Sequence, residues 1–248
     1  MSKVEPMKFV IPSYKRCEKL KKKTLTYLDK QGVSKEDVYI FTRVDDEQLS
    51  DYIKLRDDGY NVIVAVDVKG IGKTHNYITE YFDEGEYIIE IDDDMTGLID
   101  NFRVEVDFLK VCDTMKSKMF ELGASYGSTY QCDNIMFMSQ CKEYTYDLRY
   151  CLGCLRFRYV RKDIVLETNY SEDMENCILH YIRDGVILKN NWIAPKTTNY
   201  VQGGCAADGR NEETEKIDKM ILANKYPDYC KLFQRKSGKW DLKLKFKS

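Results

Sequence analysis

The chain has 248 residues, 39 Lys and Arg against 41 Asp and Glu, a formal charge of −2 and 43% hydrophobic residues. That length supports one α/β domain or two small ones with a sizeable core, and the near-balanced charge excludes a uniformly basic nucleic-acid binder while leaving room for a local basic face. No apolar run nears the roughly 20 residues that span a bilayer. The start lacks a secretory signal's apolar stretch, and nine Cys without an export signal read as reduced thiols. The expected setting is therefore cytoplasmic.

Lys8 to Pro12 reads as a short apolar strand ended by Pro12. A basic helical stretch follows from Arg16 to about Gln31, with Leu20, Thr24, Tyr27 and Leu28 at helical spacing and Gly32 as its stop. Val38 to Thr42 is a second strand, and Glu47 to Asp58 a helix closed by Gly59. Asn61 to Val66 is apolar throughout, which predicts a strand buried on both faces. A helix over Lys73 to Phe82 leads to a fourth strand, Tyr87 to Ile91, which runs straight into Asp92-Asp93-Asp94. Strands separated by helices predict a mainly parallel sheet covered on both faces, with ligands at the strands' carboxyl ends. Those ends are Pro12 to Arg16, Arg43 to Asp46, Asp67 to Thr74 and Asp92 to Asp94, all polar.

The second half is less regular. Val104 to Leu122 predicts a helix, Tyr126 to Tyr146 looks strand-like, and Leu155 to Val160 alternates apolar and basic residues as a strand with one wet face does. Ser171 to Asp184 predicts a helix with Gly185 beyond its end, followed by a strand at Val186 to Leu188. A polar loop from Asn190 to Arg210 precedes a charged helix over Asn211 to Asn224 and a basic tail.

Ile89-Glu-Ile-Asp92-Asp93-Asp94-Met95 carries the strongest chemical signal. Three adjacent carboxylates repel one another, so grouping them at the end of a buried strand costs stability without a cation nearby. A hard divalent ion with open positions for phosphate oxygens answers that need; a solvated acidic turn is the plain alternative. Glu172, Asp173 and Glu175 open a predicted helix and suit either a favourable helix start or a general base acting on a hydroxyl. Gly72-Lys73-Thr74 ends like a P-loop, but Asp67 stands where its first Gly is required. The amides of that helix start, with Lys73, His75 and Asn76, instead suit contact with a diphosphate.

Weaker signals remain. Cys151-Leu-Gly-Cys154 reads as buried thiols rather than a zinc site, and His180 as a surface histidine. Arg156, Arg158, Arg161 and Lys162, interleaved with Phe157 and Tyr159, suit either a polyanion path or an ordinary half-exposed strand. The tail's Lys and Arg suit either DNA phosphates or a solvated hairpin around Ser237-Gly238.

Taken in order, these features resemble the GT-A glycosyltransferases, whose Rossmann-like half ends in an Asp-x-Asp motif and whose second half carries an x-Glu-Asp motif. Asp92-Asp93-Asp94 matches the first and Ser171-Glu172-Asp173 the second. Ile11-Pro12-Ser-Tyr14-Lys-Arg16 resembles the segment that contacts the nucleoside. Val44-Asp45-Asp46-Glu47 resembles the acidic segment near the base, with Glu47 in place of the usual Gly. Gly72-Lys-Thr-His75-Asn76 is similar to a Gly-x-x-x-Arg-Asn segment, with His75 where Arg is commoner. Within that group, the short chain, the Asp-Asp-Asp-Met form and Gly203-Gly204 look most like the TET-associated glycosyltransferases of phages and related viruses, which are inferred to glycosylate hydroxymethylated DNA bases.

The resemblance, over roughly residues 7 to 185, implies a single GT-A domain: a mixed, mainly parallel α/β sheet with a nucleotide-sugar half to about residue 100 and an acceptor half beyond. It implies Mn²⁺ or Mg²⁺ on Asp92 and Asp94, and Asp173, with Glu172, as the catalytic carboxylates of an inverting transfer. The donor is a nucleotide sugar, a UDP-sugar above all, contacted by Pro12, Tyr14, Arg16, Arg43, Asp45, Asp46, Lys73, His75, Asn76 and Asp93. The acceptor half offers Arg156, Arg158, Gly203 and Gly204, with DNA containing hydroxymethylated bases as the acceptor partner and no membrane. Many members take a third metal ligand from a His near the C-terminus; here a water or Asp208 stands in. A glycan or protein acceptor is the first alternative. A sugar-phosphate nucleotidyltransferase is the second, although residues 7 to 20 lack its Gly-rich loop.

Overall fold

The computed structural model describes residues 7–197, 204 and 207–245. Strands β1 (Lys8–Pro12), β2 (Val38–Arg43), β3 (Asn61–Ala65) and β4 (Tyr87–Ile91) form where β-branched and aromatic residues run together. They lie parallel in the order β3-β2-β1-β4. The first crossover is helix α1 (Cys17–Leu20), a π turn (Lys21–Leu25) and α2 (Thr26–Lys30); the next two hold α3 (Leu49–Ile53) and α4 (Ile71–Tyr81). Gly32 and Gly59 follow the first two crossover helices at φ +76° and +97°, the left-handed region that suits glycine.

Beyond the acidic triplet come β5 (Met95–Asp100), α5 (Phe108–Leu122), β6 (Tyr126–Thr129), α6 (Ile135–Met138), β7 (Tyr144–Thr145) and β8 (Leu155–Tyr159). Then follow α7 (Glu172–Asp184), β9 (Leu188–Asn190), β10 (Ile193–Thr197), α8 (Glu212–Lys225), β11 (Cys230–Gln234) and β12 (Trp240–Leu244). The main sheet has eight strands, β3-β2-β1-β4-β8-β6-β9-β7, with β8 antiparallel to both neighbours and β7 antiparallel to β9. This is the mixed, mainly parallel α/β sheet expected. Two strands were hidden in the sequence: β5 leaves the main sheet to pair with β10, which lies inside the stretch read as a polar loop. Tyr126 to Tyr146 is not one strand but two, with α6 between them.

One face of the sheet packs Phe9, Ile11, Ile40, Ile89, Leu155 and Phe157 against Leu20, Leu28, Phe108 and Met115. The other packs Val10, Phe41 and Ile88 against Ile78 and Phe82 of α4. Each such side chain contributes about 1.5–3 kcal/mol by leaving water. A third cluster, with Tyr126, Cys177, Ile178, Leu222, Leu242 and Leu244, joins α7, α8 and the β11–β12 hairpin. That hairpin turns at Gly238, as the tail's sequence suggested. Among the described residues no helix is long and apolar enough to cross a membrane.

Burial corrects three expectations. Strand β3 is the sheet's edge, so although Val62 and Ala65 are buried, Ile63 and Val64 are only partly covered, not buried on both faces as their apolar run predicts. Arg156 and Arg158 do not line a wet face: they are 2% and 3% exposed, because α4 covers that side of β8. His180 is fully buried, stacked 4.7 Å from the Tyr126 ring and within 2.7 Å of the Ser125 hydroxyl. Cys151 and Cys154 are buried free thiols, as read.

Candidate active site

The carboxyl ends of β1, β2 and β4 are neighbours, and carboxylates tie their turns together. Asp93 accepts hydrogen bonds from Ser13 Oγ at 2.8 Å and Arg16 Nη1 at 3.2 Å. Locked and 5% exposed, Asp93 pins the β4 turn to the β1 turn and has no free edge for the nucleotide contact expected of it. Asp94 accepts from Lys19 Nζ at 2.8 Å. Asp92 differs: burial, then the neighbouring Asp93 and Asp94 carboxylates, pushes its carboxyl up to about 7 against the pull of Arg156. Thr24, fully buried in the π turn, donates to the Asp92 carbonyl at 2.7 Å and accepts from the Met95 N–H at 3.0 Å. The widened turn delivers a hydroxyl to the acidic loop, a placement π turns often serve. Sequence reasoning missed Lys19 and Thr24; a polar residue inside an apolar helical stripe was the available signal.

At the end of β2, Asp46 accepts from the Lys15 N–H at 2.7 Å and the Gln48 N–H at 2.8 Å. Lys15 sits at φ +57°, a conformation that costs a non-glycine residue roughly 1–2 kcal/mol, and Asp46 helps hold it there. Asp46 is thus a buried turn-former rather than the base contact expected. The Arg43 guanidinium bonds twice to Asp45, at 2.9 and 2.6 Å, once to Asp208 at 2.6 Å, and lies 4.0 Å above the Tyr14 ring. Asp208 Oδ1 is thus engaged by Arg43. Val44 and Val66, which follow the last β2–β3 pair, are 51% and 58% exposed at this edge. They form an apolar rim that the sequence reading left unassigned. Pro12 ends β1 opposite Phe41. The Gly204 N–H donates to the Tyr14 carbonyl at 3.1 Å, and a Cβ on Gly204 would lie 2.7 Å from the Arg16 guanidinium carbon. Gly204 thus belongs over the β1 turn instead of with the acceptor residues; Gly203 lies outside the described residues.

The start of α4 is closed. A Cβ on Gly72 would stand 1.9 Å from the Thr168 carbonyl oxygen, and one on Gly70, at φ +98°, 2.3 Å from Asn169 Oδ1. These glycines exist for close packing, and the segment above them covers the helix start expected to cradle a diphosphate. Asn76 clasps the Leu166 backbone with both ends of its amide, at 2.8 and 2.9 Å. His75, 3% exposed, meets Arg156 Nη2 at 2.7 Å, and burial with that guanidinium lowers its pKa to about 3. Neither residue offers its side chain to a ligand. Lys73 alone of the segment's expected contacts is exposed. Gly72→Ala is expected to destabilise the fold by about 1–3 kcal/mol, because backbone must shift. A urea midpoint equal to wild type would contradict this.

Helix α7 brings the second acidic motif to the same region. The Glu175 carboxylate accepts from the Glu167 and Thr168 N–H groups and the Thr168 hydroxyl, at 3.0, 2.8 and 2.8 Å, so it builds the segment that roofs α4. Asp173 Oδ1 lies 3.0 Å from Arg156 Nη1. Burial raises the Asp173 carboxyl and Arg156 opposes the rise, whereas Glu172 is pushed up to about 8 by burial and by Asp173 itself. Burial thus raises both adjacent carboxyls, and Arg156 pulls each of them down. Asp92 feels the charge of Asp173, so the two acidic motifs share one site. Among the described residues no group of three or more His, Cys, Asp and Glu side chains is gathered to enclose a metal. Asp92 and Asp94, at one turn, offer hard carboxylate oxygens of the kind a divalent cation takes, with Asp94 already paired to Lys19.

A scan against protein-family models and a search of curated proteins return no match. Solved structures do match. S. aureus TarS (residues 1–349, in complex with UDP-GlcNAc) aligns with a TM-score of 0.58 at 13% identity, covering 88% of this chain and 67% of that one. Glucosyl-3-phosphoglycerate synthase from Mycobacterium tuberculosis, in complex with Mn²⁺, UDP and glucosyl-3-phosphoglycerate, aligns at 0.56 and 10% identity over 98% of this chain and 88% of that one. The mixed sheet, its strand-end acidic turn and these structural neighbours together show that the chain has the fold of the GT-A glycosyltransferases.

Proposed function

We propose that this protein is a glycosyltransferase that moves a sugar from a nucleotide-sugar donor to an acceptor hydroxyl. The observation that carries the reading is that Asp173 of α7 bonds to Arg156 while both act electrostatically on Asp92 of the strand-end acidic turn, which sets the second acidic motif beside the first. Asp92 and Asp94 would hold Mn²⁺ or Mg²⁺, which when bound would supply positive charge for a diphosphate leaving group. Tyr14, the Arg43–Asp45 pair and the Val44–Val66 rim receive the nucleoside, and exposed Lys73 is the remaining cation of the α4 start for its diphosphate. Asp173 accepts the acceptor's hydroxyl proton as the new bond to the sugar forms, and in-line attack inverts the anomeric centre. The neighbours' bound UDP and UDP-GlcNAc favour a UDP-sugar donor.

One observation favours a polyanionic acceptor such as DNA with hydroxymethylated bases over a glycan or protein. On the β11–β12 hairpin, exposed Lys231 stands directly opposite exposed Lys243. Like charges so paired destabilise a hairpin unless an anion answers them. The test is calorimetry of UDP, GDP and UDP-sugars with and without Mn²⁺, followed by mass analysis of hydroxymethylcytosine DNA incubated with the best donor. Absence of metal-dependent nucleotide binding defeats the enzyme reading; unchanged DNA mass alongside transfer to a glycan moves the acceptor to the alternative.

Asp94→Asn is expected to abolish Mn²⁺-dependent UDP binding while the Lys19 contact keeps the turn folded. Because the Asp92 carboxyl sits at about 7, Mn²⁺ must displace its proton, so metal affinity should weaken as pH falls through 7. Titrations at pH 6 and 8 read this directly, and equal affinities would contradict it.

A further inference from the structure

Arg156 sits at the centre of a buried relay. Nη1 donates to Asp173 Oδ1 at 3.0 Å, and Nη2 reaches His75 Nε2 at 2.7 Å and Glu90 Oε2 at 3.0 Å. Glu90 lies directly opposite Arg156 in the β4–β8 register, and is also paired with Arg158, whose Nη1 donates to Thr79 Oγ1. On its other side Arg156 adjoins Gly153, where a Cβ would lie 2.9 Å from Asp173 Oδ1 and 3.4 Å from the guanidinium carbon. The Gly153 backbone lies close against the Asp173 carboxylate. The Cys151-Leu-Gly-Cys154 segment thus has a use unrelated to metal: its glycine lets backbone approach a carboxylate that a side chain would push away.

We propose that Arg156 and Gly153 form a positioning cradle for Asp173, and that His75 and Glu90 hold the Arg156 fork in plane. This rests on the reading of Asp173 as the base. Arg156 is a positioning residue: the geometry fixes the orientation of the carboxylate from below and from the side. Only a planar fork makes these contacts at once, so lysine, a point charge on a flexible stem, cannot replace it. The relay also accounts for His75. Arg156 donates into Nε2, so that nitrogen carries a lone pair and the proton sits on Nδ1, 3.4 Å from Glu90 Oε2. An arginine at position 75, the commoner residue in the GT-A segment that this one resembles, would set a second guanidinium against Arg156. His75 and Arg156 are therefore a matched pair.

Two measurements test this, one of them independent of turnover. In ¹⁵N NMR of the full-length protein, His75 should remain a neutral, Nδ1-protonated imidazole between pH 5 and 8. In Arg156→Lys, which lacks the fork that donates into Nε2, the Nε2-protonated tautomer should appear although the buried ring stays neutral. A wild-type His75 that titrates near 6.5 overturns the relay whether or not the protein is an enzyme. In the second, UDP release from UDP-glucose and from UDP-GlcNAc is measured with Mn²⁺. Arg156→Lys and the milder Gly153→Ala should each lower kcat roughly tenfold or more while KM for the donor moves less than about twofold. Unchanged kcat in both variants, where Asp173→Asn is inactive, removes the cradle and leaves the base. Full activity in Asp173→Asn removes the base instead, and the NMR result then stands on its own. The groups around Asp173 that bear on these readouts are Arg156, Arg210, Glu90, Glu172 and Asp92.

Discussion

Glu90→Ala is expected to cost about 3–5 kcal/mol of stability, a large share of the roughly 5–15 kcal/mol that holds a typical domain together. Glu90 is 2% exposed in the middle of a fully buried strand, and it is the anion that Arg156 and Arg158 share. Removing it leaves two buried guanidiniums with one carboxylate, Asp173, between them. The wild-type network also sets a pH dependence. Burial alone would raise the Glu90 carboxyl, but Arg158, Arg156 and His75 outweigh it and hold it at about 2, below its ordinary 4.5. A depressed carboxyl contributes stability that is present above its unfolded value and lost as pH falls through the folded one, here from about 4.5 toward 2. His75 acts in the same direction over a higher window. Its buried neutral form is favoured, so protonation of the unfolded chain drains stability as pH falls below 6.5 toward 3. The raised Asp92 and Glu172 carboxyls act in the opposite sense between about pH 8 and 4, so the Glu90 contribution to any decline in urea midpoint is read below pH 4.5, as the difference between wild type and variant. In Glu90→Ala the part of the decline below 4.5 should vanish, and a midpoint within error of wild type at pH 7 would contradict the network's role.

Asp173→Asn is expected to lower the rate of sugar transfer by about 10²–10⁴-fold, the range typical for loss of a positioned general base. The amide keeps the shape and still accepts from Arg156 through its oxygen, so the helix start and donor affinity should persist. Single-turnover rates measured beside UDP calorimetry separate the two effects. Loss of UDP affinity in step with the rate would assign Asp173 to donor binding, and an unchanged rate would remove it from the chemistry.

Both predictions depend on residues that the sequence presents differently. Glu90 looks like one polar interruption in an apolar strand, and Asp173 like an ordinary acidic helix start with a favourable dipole. They become a site because β8 enters the sheet antiparallel beside β4 and sets Arg156 opposite Glu90. Alternation in Leu155 to Val160 correctly gives a strand, since period-two patterning is a local property. It gives the wrong solvent exposure, because which face is wet depends on α4 packing there. Strand β3 fails in the opposite sense: its apolar run is genuine, but an edge position uncovers it.

Local chemistry settled a good deal without the fold. Apolar runs and glycine stops placed the four parallel strands and their crossovers, and crowded like charges marked Asp92 to Asp94 as a place wanting a cation. Tertiary structure decided which polar residues are free. Asp93, Asp46, Asp208, Asn76 and His75 all satisfy partners distant in sequence, whereas Asp92 is left under-neutralised and Lys73 exposed. The physical reason is that a buried polar group takes whichever partner the packing brings within about 3 Å, and that choice is made by contacts between elements far apart along the chain.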